Sequence, residues 1–178
     1  MRILVADDSQ VARIQLKHLL EGLGHEVVEA RDGLEALDVL RGPEPPLLAI
    51  LDWLMPGLDG PDVCARIREM HPKVPPYLLL LTIKDTKEDL IVGLEKGAND
   101  YVSKPFHEGE LRARIQVGEN TVRLEQSLAS RIATLEEAIA HIKTLQGILP
   151  ICMYCHKIRS DEQLWQRLEH YLSEHTDL

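Results

Sequence analysis

The sequence predicts an α/β fold in which helices cover both faces of a parallel β-sheet. Up to about residue 106, short apolar runs alternate with segments whose apolar residues recur at helical spacing. A helix between two strands returns the chain to the end of the sheet where the first strand began, so the strands are parallel. Such crossovers are right-handed. Three of the runs are almost continuously apolar, as expected of strands buried on both faces. A chain of 178 residues is long enough to bury such a core without disulfides.

Five strands and four helices are predicted in this part of the chain. The strands are the aliphatic runs at residues 2–6, 25–30, 47–51, 77–81 and 98–103. Capping residues and glycines mark the helix ends, because Asp and Thr side chains accept the first free N–H groups and glycine ends the last turn. The helices are residues 10–23, one capped by Asp32 that ends at Gly42, residues 59–70, and one capped by Thr86 that ends at Gly97.

A long helix is predicted after the fifth strand, because residues 106–149 contain no proline. Its apolar residues recur at alternating intervals of four and three: Leu128, Ile132, Leu135, Ile139 and Ile142. This heptad spacing predicts a dimeric coiled coil. The alternative is a helix folded back on the sheet. The predicted domains are residues 1–120, an extended helix at 107–148, and a tail at 149–178.

The tail is predicted to hold a cysteine-pair knuckle and a terminal helix. Pro150 ends the long helix, and Asp161 caps a helix that includes Trp165. The pair itself is Cys152 and Cys155.

Three interpretations of this cysteine pair stay open. Cys152 and Cys155 have the spacing of half a zinc site, and His170 and His175 lie at zinc-finger distance from them. The pair could also be a redox dithiol or a metal-free remnant. The segment matches the haem-attachment pattern CxxCH as well, but that chemistry requires export, and no export signal is evident.

Composition excludes several classes of partner. The net charge is −9, and acids outnumber bases on both sides of residue 106, so nucleic acid is an unexpected ligand. No apolar run is long enough to span a membrane. Asp7 and Asp8 stand where a signal peptide needs its apolar stretch, so we expect a cytoplasmic protein whose three cysteines are reduced.

Polar side chains follow the strands of the predicted sheet. Asp7 and Asp8 come directly after the first strand and Asp52 after the third, which we expect to be its neighbour. Three carboxylates this close repel one another unless a cation such as Mg²⁺ binds them. Thr82 ends the fourth strand and Lys104 follows the fifth. A carboxylate nucleophile, a metal, a hydroxyl and a lysine together indicate phosphoryl transfer.

Four segments carry a resemblance to a known family: ILVADDS, LDWLMPGLDG, LLLLT and YVSKPF. With the spacing between Asp8, Asp52, Thr82 and Lys104, they resemble the receiver domain of bacterial two-component response regulators over about the first 120 residues. The resemblance implies a flavodoxin-like fold with strand order 2-1-3-4-5. It also implies a response regulator that is not an enzyme beyond its own phosphorylation and dephosphorylation.

The resemblance assigns roles around the acids. It implies that Asp52 is the phosphoacceptor and that Lys104 contacts the phosphoryl group. It further implies that Asp7, Asp8 and Asp52 bind Mg²⁺ together with the backbone carbonyl of Leu54.

The resemblance also implies that Thr82 and Tyr101 form a coupled switch pair. Two positions depart from the family pattern. Ile83 stands where a small residue is usual and should narrow access to the phosphoryl group, and Leu54 stands where a polar residue is common. We expect Trp53 to be a partly exposed aromatic beside the site.

The function predicted is that of a response regulator. A sensor histidine kinase or phosphotransfer protein supplies the phosphoryl group, and a homodimer formed through the helical extension signals by protein–protein contacts. One alternative is a metal- or redox-sensing module that uses Cys152 and Cys155, with the receiver as scaffold. Another is a hydrolase, but such phosphatases usually carry an acid two positions after the nucleophile, where this chain has Leu54.

Overall fold

The computed structural model describes residues 1–83, 87–146, 157–159 and 165–167. The strands are β1 (Arg2–Ala6), β2 (Glu26–Ala30), β3 (Leu48–Asp52), β4 (Tyr77–Thr82), β5 (Asp100–Ser103), β6 (Lys157–Arg159) and β7 (Trp165–Arg167). The helices are α1 (Gln10–Gly22), α2 (Gly33–Arg41), α3 (Gly60–Glu69), α4 (Lys87–Glu95) and α5 (Glu108–Gln146). Contacts divide the chain into two compact units, Met1–Ala129 and Ser130–Leu178.

The first unit contains a five-stranded sheet in the order β2-β1-β3-β4-β5, and every neighbouring pair is parallel. This confirms the predicted fold class and strand order. Successive side chains of a strand point to opposite faces, so β1, β3 and β4 contribute to two separate cores. One core joins the sheet to α2 and α3, and the other joins it to α1 and α5.

The first turns of α5 pack closely against the sheet. Leu111, Ile115 and Val122 are buried against it. Gly118 lies at the closest approach, where an added Cβ would be 2.7 Å from Cδ1 of Tyr77. Each buried aliphatic side chain contributes roughly 1.5–3 kcal/mol, so this stripe holds α5 to the sheet.

Local signals place the helix starts. The Oγ of Ser9 accepts from the backbone N–H of Ala12, and a carboxylate oxygen of Asp32 accepts from that of Glu35. The predicted cap at Asp32 is therefore confirmed, whereas Thr86 lies outside the described residues.

The described part of the tail differs from the prediction. Strands β6 and β7 pair in antiparallel fashion, with Lys157 opposite Arg167 and Arg159 opposite Trp165. The predicted terminal helix is therefore wrong at residues 165–167, because their backbone groups pair with residues 157–159 just before them in a hairpin, which helical periodicity does not reveal. Cys152, Cys155 and the rest of the tail lie outside the described residues.

No helix in the described part of the chain is long and apolar enough to cross a membrane.

Arg68 fastens three segments at the end of the sheet away from the acids. Its guanidinium donates from Nε to the carbonyl oxygen of Gly97 at 2.9 Å, from Nη1 to that of Pro76 at 3.0 Å, and from Nη2 to Oδ1 of Asn99 at 2.7 Å. The same Oδ1 accepts from the backbone N–H of Leu78, the second residue of β4. Arg68 thus connects α3 to the start of β4 and to the turn before β5.

We expect Arg68→Met to lower the free energy of unfolding by about 2–4 kcal/mol, because it leaves partly buried carbonyl groups without their donors. Urea denaturation followed by circular dichroism measures this change. Arg66→Met is the matched control, since Arg66 lies exposed on the same helix and loses the same charge. Equal destabilisation by the two substitutions would show that the Arg68 contacts contribute nothing specific.

Candidate functional site

The predicted site residues meet at the carboxyl edge of the sheet. Asp52 and Thr82 are the last residues of β3 and β4, and Asp7 and Lys104 directly follow β1 and β5. The strands are parallel and in register, with Asp52 beside Leu81 and Thr82 beside Ser103, so four strands end at the same level.

The three acids form one cluster. Each of Asp7, Asp8 and Asp52 offers a carboxylate oxygen, and these oxygens lie within 4.8 Å of one another. Lys104 bridges two of them, with Nζ 2.8 Å from Oδ2 of Asp7 and 2.6 Å from Oδ1 of Asp52. Three carboxylates and one ammonium leave an excess of negative charge in the cluster.

The three carboxylates differ in exposure. Asp7 is buried, and its other oxygen, Oδ1, accepts from the backbone N–H of Ser9 at 2.8 Å. Asp8 is exposed, and the Asp52 side chain is 14% exposed. An incoming group can therefore reach Asp8 and Asp52, while Asp7 is fixed within the protein.

Burial and the neighbouring charges shift the pKa values of Asp52 and Lys104. Burial raises the pKa of Asp52 above its ordinary value, and Lys104 opposes this rise while Asp7 adds to it. Burial alone lowers the pKa of Lys104, but its hydrogen bonds to Asp52 and Asp7 and the charges of both outweigh burial and raise the pKa. The positive charge of Lys104 is thus favoured in this cluster, and the negative charge of Asp52 is disfavoured by burial.

We expect the free energy of unfolding, measured without Mg²⁺, to fall less steeply with rising pH in Asp52→Asn than in the unsubstituted protein. The folded-state pKa of Asp52 lies above its unfolded value near 3.8, so the folded state binds the proton more tightly. Stability from this group is therefore lost as pH rises from that value through the raised pKa. Urea denaturation in EDTA at a series of pH values tests this, and parallel curves for the two proteins would contradict it.

Glycine at position 60 allows α3 to begin against the back of the site. An added Cβ there would lie 2.3 Å from the carbonyl oxygen of Asp52, a distance that no side chain tolerates. The backbone N–H of Gly60 also donates to the carbonyl oxygen of Trp53 at 2.9 Å. The prediction that Trp53 is partly exposed is wrong, because its ring is buried against Gly93 of α4, where the missing side chain leaves room for it.

Thr82 and the two unusual positions also lie at this edge, and Tyr101 lies two residues before the end of β5, opposite Leu80. Thr82 is fully buried, and Tyr101 is half-buried and packs against the core beneath α2 and α3. Leu54 is 46% exposed and Ile83 is 68% exposed. Exposed aliphatic side chains therefore stand shortly after both Asp52 and Thr82 in the chain. Neither Leu54 nor Ile83 can hydrogen-bond to water.

The sequence prediction missed Arg13, a buried residue of α1. Its Nη1 donates to the backbone carbonyl oxygens of Asp7 at 2.7 Å and of Asp8 at 3.2 Å. One signal was present, since a basic residue occupies the same helix face as the apolar Leu16 and Leu20.

Cys64 is buried in the core, and burial raises the pKa of its thiol to about 12. A thiol in this state is a packing group with little reactivity.

The acid cluster suits a small hard cation. Mg²⁺ prefers carboxylate oxygens and retains several waters, and this cluster combines converging carboxylates with one exposed side that water can occupy. The donor set and its charge excess therefore fit Mg²⁺, and a carboxylate nucleophile beside such a cation can accept a phosphoryl group.

Comparison with known proteins agrees with this geometry. The sequence model of the response regulator receiver domain matches residues 3–116. The response regulator MprA of Mycobacterium avium is 42% identical over 116 residues, which are 65% of this chain and 50% of that protein. MprA of Mycobacterium tuberculosis strain H37Rv is 38% identical over 138 residues, which are 76% of this chain and 59% of that protein. The chain thus spans only about half the length of these curated relatives.

A solved structure shows the same similarity. The crystal structure of a putative response regulator from Chloroflexus aurantiacus is 35% identical, with a TM-score of 0.60, and the match covers 68% of this chain and 97% of that one. The acid cluster of Asp7, Asp8 and Asp52 is typical of the Mg²⁺ site of this kind of receiver.

Proposed function

We propose that this chain, which belongs to the response regulator receiver domain family, accepts a phosphoryl group on Asp52 and passes the signal on through protein–protein contacts. Receiver domains pair with histidine kinases and are not conventional enzymes. The donor is accordingly a sensor histidine kinase or a phosphotransfer protein, and the exchange takes place in the cytoplasm. The observation that carries the proposal is the convergence of Lys104 with the partly exposed Asp52 and the buried Asp7.

The proposed reaction moves phosphorus from nitrogen to oxygen. A carboxylate oxygen of Asp52 attacks the phosphorus of a phosphohistidine, the O–P bond forms as the N–P bond breaks, and the imidazole nitrogen takes up a proton. Lys104 already lies 2.6 Å from Oδ1 of Asp52, so its ammonium group stands beside the atoms that react. The proposed catalytic set is Asp52, Lys104 and Thr82.

Mg²⁺ would be held by Asp7, Asp8, Asp52 and the backbone carbonyl of Leu54. When bound, it neutralises charge on the carboxylates and on the transferred phosphoryl oxygens. The fixed position of Asp7 and the accessibility of Asp8 support this ligand set, because one side of the cluster is rigid and the other is open.

Thr82 and Tyr101 form the proposed switch. The hydroxyl of Thr82 turns towards the new phosphoryl oxygens, and the ring of Tyr101 moves into the space that it leaves. The half-buried state of Tyr101 supports this role, since part of its ring packs on the core and part is free of it.

An apolar groove beside the acids is the proposed docking surface for the donor protein. It consists of two adjoining cavities of about 590 and 270 Å³ between α1 and the turn after β5, and Phe106 lines both. Asp7 and Lys104 line the smaller cavity, so the groove reaches the phosphoacceptor site. Exposed Val11 and Ile14 extend the apolar surface along α1. A donor helix seated here would bring its phosphohistidine to Asp52.

Output is proposed to run through a parallel homodimer of α5. Ile132, Leu135 and Ile139 are between 47% and 62% exposed, which leaves an apolar stripe in water. A second copy of this helix covers such a stripe at heptad spacing.

The test of the phosphoacceptor proposal is labelling of the full chain with acetyl phosphate. With Mg²⁺, the intact mass should rise by about 80 Da, the mass of one phosphoryl group, and fragmentation should place the group on Asp52. With EDTA in place of Mg²⁺, the rise should be absent. Labelling at any other residue, or no labelling with Mg²⁺ from either acetyl phosphate or a phosphorylated histidine protein, would refute the proposal.

A further inference from the structure

We propose that Arg13 is a positioning residue for the cation site and acts through the backbone of Asp7 and Asp8. This role rests on the proposed function and extends it to a residue outside the acid cluster. Only 9% of the surface of Arg13 is exposed, and it occupies the same face of α1 as the buried Leu16 and Leu20. A charged group at such a position costs stability unless its hydrogen bonds and an opposite charge satisfy it.

The contacts of Arg13 join two strands to the cation site. Its Nη1 donates to the carbonyl oxygens of Asp7 and Asp8, at 2.7 and 3.2 Å. Its Nε lies 3.7 Å from Oε2 of Glu29, a residue of β2, and the other oxygen of Glu29 accepts from Nζ of Lys17 at 2.7 Å. Glu29 therefore supplies an opposite charge from the neighbouring strand without a hydrogen bond to Nε, and the guanidinium hydrogen-bonds to the turn after β1 through Nη1.

Asp8 depends on this backbone contact more than Asp7 does. The carboxylate of Asp7 is held by Ser9 and by Lys104. Asp8 is exposed, and within the described part of the chain its carboxylate accepts no hydrogen bond. Its place in the cluster is consequently set by its backbone, which Arg13 holds from the buried side.

Charge and position make opposite predictions for Arg13. A guanidinium close to the site repels a divalent cation, so its removal should tighten Mg²⁺ binding if charge alone matters. Removal should weaken binding if the hydrogen bonds to the two carbonyl groups matter more, because the carboxylates then lose their convergence. The sign of the change in affinity separates the two effects.

The experiment is isothermal titration calorimetry of the full chain with Mg²⁺ alone. We expect Arg13→Met to bind Mg²⁺ about tenfold more weakly, as is usual when a group that orients metal ligands is lost. Arg13→Lys keeps a donor and should recover part of the loss. Lys17→Met is the matched control, since it removes the same charge from the same helix and also removes an ion pair with Glu29. We expect its Mg²⁺ affinity to change by no more than about twofold. Asp8→Asn removes a ligand and shows how far affinity can fall.

A kinetic measurement separates positioning from general damage. Labelling of Arg13→Met by acetyl phosphate should be slow at low Mg²⁺ and recover at saturating Mg²⁺, whereas an unfolded site would not recover. Unchanged or tighter Mg²⁺ binding in Arg13→Met would overturn the role, as would an equal loss in Lys17→Met. If Arg13→Met does not fold, unchanged affinity in Arg13→Lys and in Glu29→Gln together overturns it.

Labelling of the unsubstituted chain on Asp52 reports separately on the proposed function. If the unsubstituted chain is labelled normally and the Arg13 variants bind Mg²⁺ with unaltered affinity, only the role of Arg13 is refuted. An unsubstituted chain that binds no Mg²⁺ refutes both.

Discussion

Asparagine in place of Asp52 is expected to abolish phosphoryl labelling of the protein by acetyl phosphate and Mg²⁺. An amide is a poor nucleophile towards phosphorus, and the other carboxylates of the cluster are less well placed to attack. Asp7 is buried and already engaged with Ser9 and Lys104, and within the described part of the chain Lys104 forms ion pairs with Asp7 and Asp52 but not with Asp8. Intact mass spectrometry should therefore show the gain of about 80 Da in the unsubstituted chain and no gain in the variant.

Asp59→Asn is the matched control for this experiment. Asp59 is an exposed acid before α3 whose side chain makes no capping hydrogen bond, so the substitution removes the same charge near the same loop without touching the cluster. Its labelling should equal that of the unsubstituted chain. Persistent labelling of Asp52→Asn would assign the phosphoacceptor to another residue.

The site could be predicted because it depends on strand ends. In a parallel sheet the residue that follows each strand lies at the same edge, whatever the connecting helices contain. Asp7, Asp52, Thr82 and Lys104 needed only the correct number and order of strands to meet. The apolar runs supplied the number, and the family resemblance implied the order.

Features that depend on contacts with another segment, near or distant, could not be predicted in the same way. Val11 and Ile14 belong to the apolar pattern of α1, but both lie exposed. Helical periodicity alone does not show which apolar residues of a helix face the core. Trp53 is buried because Gly93, far along the chain, leaves space for its ring. The strand at 165–167 exists only through its pairing with 157–159.

Arg13 is the instructive intermediate case. A basic residue on an apolar helix face is visible in the sequence, and it signals a buried charge that needs partners. Its partners are backbone carbonyl groups, which every residue carries, so no side-chain pattern could identify them.

Substitution of both Ile132 and Ile139 by glutamate is expected to convert the proposed dimer of this chain into a monomer. These exposed residues occupy equivalent positions one heptad apart on α5, and a parallel second copy would bury both. Each buried isoleucine contributes roughly 1.5–3 kcal/mol, and each substitution is present in both copies, so dimerisation should weaken by at least about a thousandfold. Sedimentation equilibrium at tens of micromolar should show a dimer for the unsubstituted chain and a monomer for the double variant.

A matched variant and a charge exchange make this test specific. Ala133→Glu with Ala140→Glu adds the same charges at the same spacing, one position round the helix, and should remain dimeric. In a parallel pair, Arg131 of one copy faces Glu136 of the other across the edge of the seam. Arg131→Glu alone should therefore weaken the dimer, and Arg131→Glu with Glu136→Arg should restore it. A monomeric unsubstituted chain, or an Ile132 and Ile139 double variant that stays dimeric, would refute the seam. Failure of the exchange to restore the dimer would refute its parallel orientation. It would also refute the proposal that the signal passes along paired helices that hold two receivers at one end.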